Sequence, residues 1–163
     1  MVIVLFMVKL MKEFDYSLDY KNLNFTDINI RKLYRIGRGE QGVLLVRPYT
    51  DEICAHWRFK DVVTARKSSH KIYEMYCDYK RQKDFIGMDM ARKFLEMGFT
   101  RSRRYANHKD GKKYDSSGAV LPQEADALVS IKAQSASIFK EVRDKVAYDP
   151  EYVKMRKQWR ASE

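Results

Sequence analysis

The sequence predicts an α+β fold that is mostly helical: a small antiparallel sheet with three to four packed helices. Three observations carry this expectation. Apolar residues recur at three- and four-residue steps over three long segments. A glycine-rich turn precedes the apolar run "VLLV", Val43–Val46, which Pro48 stops. With 163 residues, 45% of them apolar, the chain is long enough to bury one core.

The elements follow in order. "MVIVLFMVKL" is too short an apolar run to cross a bilayer and has Lys9 after it rather than before it, so it reads neither as an anchor nor as a secretory signal. Residues 1–12 are expected to be an extension outside the domain, with Met7 and Met11 as alternative starts, and 13–163 a single globular domain. Glu13 to Tyr34 shows no sustained period and is expected to be an irregular arm whose aromatics pack on the core. "ICAHWRFK" is a second strand candidate. Asp61 caps a helix from Val62 to about Lys83, with Val62, Ala65, Ser69, Ile72, Tyr76 and Tyr79 on its inner face. A second helix runs from Met88 to Met97 and stops at Gly98, where glycine suits the residue after a helix end. Leu128, Ile131, Ile138, Phe139, Val142 and Val146 mark a third, entered through Pro122. A last helix spans Pro150 to Arg160, and Asn107–Gly118 is a polar loop.

Composition bounds the partners. A net charge of +10 favours a polyanion over an acidic or neutral partner. Cys54 and Cys77 lack metal or disulfide spacing, which fits a reducing cytoplasm. His56, His70 and His108 form no HxxxH, so no metal and no cofactor are expected.

The densest chemistry lies in "GFTRSRRYANHKDGKKY". Arg101, Arg103, Arg104, Lys109, Lys112 and Lys113 face one acid, Asp110, with Tyr105, Asn107 and His108 among them. Thr100 after Gly98 outlines a second short helix, as in a helix-turn-helix, although Phe94 and Arg104 depart from that pattern. Arginine and asparagine read base edges, and lysine suits phosphate. The expected function is nucleic-acid binding, DNA favoured over RNA, through Arg101, Arg103, Arg104, Asn107, Lys109, Lys112 and Lys113.

Gly37, Gly39 and Gly42 spell GxGxxG, but the predicted strand after them rules out a dinucleotide turn, and no kinase catalytic motif accompanies them. Glycines adopting positive φ in a tight hairpin explain them, and Arg35 and Arg38 beside them keep an anion-binding turn open. Asp89, in an expected first helical turn, reads as dipole compensation.

No nucleophile elbow, phosphate loop or nuclease Glu-x-Lys is present, so an enzyme is the second reading. It would act on a nucleotide or phosphorylated substrate, with an arginine clamp and His108 or His56 in proton transfer. That reading requires Glu40, His56, Arg58, Arg101 and His108 to line one pocket. A protein-interaction factor is the third.

The runs "LYRIGRGEQGVLLV", "HWRFK", "GMDMARKFLEMGFTRSRRYANHK" and "KKYD" together resemble a domain-of-unknown-function family of small cytoplasmic proteins from bacteria, fungi and tailed phages, cyanobacterial phages included. The resemblance extends from about Phe14 to the C-terminal helix. It implies a single domain and a domain start after residue 12; it brings no activity, ligand or catalytic residue.

Overall fold

A computed structural model describes residues 13–163, so the expected extension at 1–12 lies outside the described residues. The helices are α1 (Ile28–Arg31), α2 (Tyr49–Cys54), α3 (Val62–Arg81), α4 (Phe85–Asn107), α5 (Ile131–Ala147) and α6 (Pro150–Ser162), with single 3₁₀ turns at Tyr20–Asn22 and Lys109–Gly111.

Helix α4 is the axis. Ile86, Met88, Met90, Ala91, Phe94 and Leu95 are all fully buried, so its N-terminal half is apolar around most of its circumference. Such a helix must be enclosed by neighbours, and α2, α3, α5 and α6 all pack on it. Asp84 begins α4 by accepting the Gly87 N–H at 3.2 Å. Asp61, Ser130 and Asp149 cap α3, α5 and α6 in the same manner.

The expected antiparallel sheet is absent. Among the described residues the one β-type pairing is an isolated bridge, Tyr114 with Val120. The run Val43–Val46 winds through successive turns instead: Gln41, Val43 and Leu45 donate their N–H groups to the carbonyls three residues back. Val43 and Val46 are buried while Leu44 is exposed, a period of three rather than the alternation a strand needs. In "ICAHWRFK", Ile53 and Cys54 close α2, and His56 and Trp57 turn back onto their carbonyls. The apolar residues there serve helix and turn packing, so among the described residues the fold is built of helices joined by turns, with no sheet.

Gly98 does not end a helix. It lies inside α4 at its crossing with α5, where a Cβ would collide with the Phe139 ring. No turn separates it from Arg101, and Thr100 caps nothing: its Oγ1 donates to the Glu40 carboxylate at 2.7 Å. The helix-turn-helix outline is therefore overturned by one continuous helix. Pro122 also lies well before α5, which starts at Ile131, and Leu128 and Ile131 are exposed.

The arm from Glu13 to Tyr34 buries Phe14, Tyr20, Phe25 and Tyr34, as its composition leads one to expect. Among the described residues no helix is long and apolar enough to cross a membrane.

Candidate nucleic-acid interface

The basic stretch begins on the last turns of α4. Arg101, Arg104 and Tyr105 recur at three- and four-residue steps and so share a face. The helix stops where His108 turns extended, φ −137° and ψ 134°. Asp110 (φ 54°) and Gly111 (φ 70°) then take left-handed backbone and reverse the chain. The reversal seats Gly111 on the Tyr105 ring; a Cβ there would lie 3.1 Å from its Cζ. Lys109, Lys112 and Lys113 lie on the loop whose Gly111 packs on Tyr105, which shares its helix face with Arg101 and Arg104.

All five cations are exposed, and none takes part in the described ion pairs. Arg104 also lies in the final turn of α4, where positive charge is favoured by the helix dipole. Half-exposed Tyr105 stands 5.8 Å from Phe59, centroid to centroid, and the Lys132 ammonium lies 5.2 and 5.5 Å from the two rings. Lys132 donates to the Lys60 carbonyl at 2.8 Å, and partial burial pulls its pKa down. The result is a cationic face with aromatic rings set into it.

The other predicted residues are placed differently. Arg103 Nη2 donates to Asn107 Oδ1 at 2.5 Å and to the Ala127 carbonyl at 2.9 Å, while the Glu124 N–H donates to the Asn107 carbonyl at 2.7 Å. This pair ties the 124–127 segment to α4. His108 is buried, with its Nδ1 unpartnered. His56 is exposed and lines a recess with Arg58, Lys67 and His70. Glu40 and Arg101 line another, with Arg38 and Gly42. The single pocket required of Glu40, His56, Arg58, Arg101 and His108 is thus divided, and His108 lines neither part.

Gly37, Gly39 and Gly42 have φ of 70°, 52° and 76°, the region that glycine enters without steric cost. A Cβ on Gly42 would strike the Phe14 ring. The carbonyls of this loop are taken up by cations: Arg160 Nη2 reaches Gly37 O at 2.6 Å, Arg92 Nη1 Gly39 O at 3.0 Å, and Lys93 Nζ Gln41 O at 2.7 Å. Arg35 Nη1 donates to the Glu163 carbonyl at 3.2 Å, and Arg38 pairs with Glu13 at 2.5 Å.

Asp89, expected to offset a helix dipole, is instead fully buried at the centre of this system. Its Oδ1 accepts from Arg92 Nε at 2.8 Å and Tyr152 at 2.6 Å, its Oδ2 accepts from Tyr34, and Lys93 Nζ lies 3.9 Å away. Burial works to raise the Asp89 pKa, but the charges of Arg92 and Lys93 outweigh it and hold the carboxyl down to about 2. Burial dominates at Lys93 and pulls it down to about 7, with Asp89 opposing. Lys93 also lies 4.9 Å from the centroids of both Phe14 and Tyr34.

A family model described as a domain of unknown function, DUF4385, matches residues 15–162. The chain belongs to the DUF4385 family. No curated protein and no solved structure matches it.

In this DUF4385 domain, Asp89, Arg92 and Lys93 were legible as a group only through burial. "IGMDMARKFLEM" is apolar on most sides, and charges inside such a helix must pair with one another or with partners from elsewhere. Tyr34 and Tyr152 supply those partners from far along the chain, with no local signal. Among the described residues the DUF4385 domain has no group of three or more His, Cys, Asp or Glu placed to hold a metal ion.

Proposed function

We propose that this protein binds nucleic acid, DNA in preference to RNA, through the C-terminal turns of α4 and the loop after them. The observation that supports this most directly is the set of five exposed cations, Arg101, Arg104, Lys109, Lys112 and Lys113, that one helix end and one chain reversal gather with no acidic partner within ion-pair distance among the described residues. Phosphates supply the missing counter-charge, and neutralising them releases condensed cations from the nucleic acid. Tyr105 and Phe59, with Lys132 over both rings, provide a surface on which an unpaired base stacks. The action assigned is binding rather than catalysis, in the cytoplasm, where Cys54 and Cys77 stay unbridged.

Fluorescence anisotropy with labelled single-stranded and duplex DNA, and with RNA of the same sequence, tests this across a salt series. Binding that weakens steeply with salt and favours DNA supports the reading. Absence of binding at low salt refutes it.

A further inference from the structure

A second cationic site adjoins the Asp89 cluster through Arg92. Between α4 and α6 is a recess of about 460 Å³ lined by Arg92, Tyr152, Val153, Arg156, Lys157 and Arg160, with Ala147 at its edge. Four of these side chains are cationic and none is a carboxylate. Helical spacing explains the convergence: Tyr152, Arg156 and Arg160 repeat every four residues along α6, and Val153 and Lys157 form the adjacent row.

The cations differ in how they are held. Arg92 is anchored through Nε to Asp89 and through Nη1 to the Gly39 carbonyl, and no described hydrogen bond uses its Nη2. Arg160 is braced by Glu163 at 3.2 Å and by the Gly37 carbonyl at 2.6 Å. Two guanidinium groups are therefore fixed in place before any ligand arrives. Arg156 and Lys157 take part in none of the described hydrogen bonds or ion pairs and add charge at the same wall. The Nη2 of the fixed Arg92, beside the uncompensated positive charge of Arg156 and Lys157, matches the oxygens of a phosphoryl group. A recess of this size accommodates a nucleotide-sized molecule, and Val153 gives it an apolar edge.

We infer that this recess binds a phosphoryl dianion, either as a free phosphomonoester or diphosphate or as the 5′-phosphate of a nucleic-acid end. It is separate from the interface proposed above: Arg92 and Arg101, the nearest interface arginine on α4, are about 13.5 Å apart by helical rise.

Calorimetric titration of the full chain with pyrophosphate tests the site. Wild type is expected to bind with a millimolar or lower Kd; Arg156→Gln/Lys157→Gln weakens this by about tenfold or more, while Arg101→Gln/Arg104→Gln changes it by less than about twofold. Both pairs are surface substitutions, and circular dichroism verifies their folding. No binding by wild type, or equal loss in the two variants, overturns the inference. A second titration, in the Arg101→Gln/Arg104→Gln background, compares short DNA carrying a 5′-phosphate with the same DNA carrying a 5′-hydroxyl. Preference for the phosphate assigns the recess to a nucleic-acid end; pyrophosphate binding without that preference assigns it to a free ligand.

Discussion

The Tyr152 hydroxyl donates to Asp89 Oδ1 at 2.6 Å and thereby ties the C-terminal helix to the buried centre of α4. Tyr34, from the N-terminal arm, donates to the other oxygen of the same carboxylate. One side chain thus fastens both ends of the described chain to its central helix. The Trp159 Nε1 bond to the Tyr34 carbonyl, 2.9 Å, closes the triangle.

Asp89→Asn is expected to destabilise the fold by about 3–5 kcal/mol, because it leaves the charge of the largely buried Arg92 without its carboxylate. The pH dependence follows from the depressed carboxyl. Its stabilisation is complete above the ordinary aspartate range and is lost as pH falls from about 4 toward 2. Urea unfolding of both proteins from pH 2 to pH 7 should show their stability difference shrinking toward the acid end. A difference constant with pH contradicts this.

Lys93 gives a dependence at the other end. The unfolded chain keeps the lysine proton up to about pH 10, whereas the folded chain releases it near 7. Between these values the unfolded state holds more protons, so this residue makes stability rise with pH. Wild type should gain on Lys93→Met between about pH 7 and 9, below the range of ordinary tyrosine ionisation. Parallel stability curves for the two proteins would show that Lys93 stays charged when buried.

Gly98→Ala should destabilise by about 1–3 kcal/mol despite the better helix propensity of alanine, since the new methyl meets the Phe139 ring. Thermal unfolding reads this directly. A more stable variant would mean that α4 and α5 are not in close contact there.

Arg103 and Arg104 should separate in their effects although they are neighbours. Arg103→Gln removes the link to Asn107 and Ala127 and should lower the melting temperature. Arg104→Gln, on the exposed face, should leave stability within about 0.5 kcal/mol and weaken DNA binding. Equal melting shifts in the two variants would contradict the placement of Arg103.

The helices were legible where cap and stripe agree, as at Asp61 for α3 and Asp149 for α6. The sheet was misread because a short apolar run carries the same residues whether it alternates or turns; only the burial of Val43 and Val46 together distinguishes them. Gly98 was misread for a related reason. A glycine that ends a helix and one that lets two helices touch look alike until the opposing Phe139 is known. The cations of the interface were legible as a run, but their division into exposed Arg101 and Arg104 and tethered Arg103 depends on a loop more than twenty residues away. The α4–α6 recess gave no sequence signal, since Arg92 and the α6 cations are far apart in the chain.

The most direct test of the central claim compares salt dependence of duplex DNA binding in wild type and Arg101→Gln/Arg104→Gln. Five contacted phosphates predict a log–log slope of about −4.5 for wild type, and removal of two should bring the variant to about −2.7. A shallower slope with weaker binding in a folded variant places the DNA on this face. An unchanged slope and affinity would contradict the account.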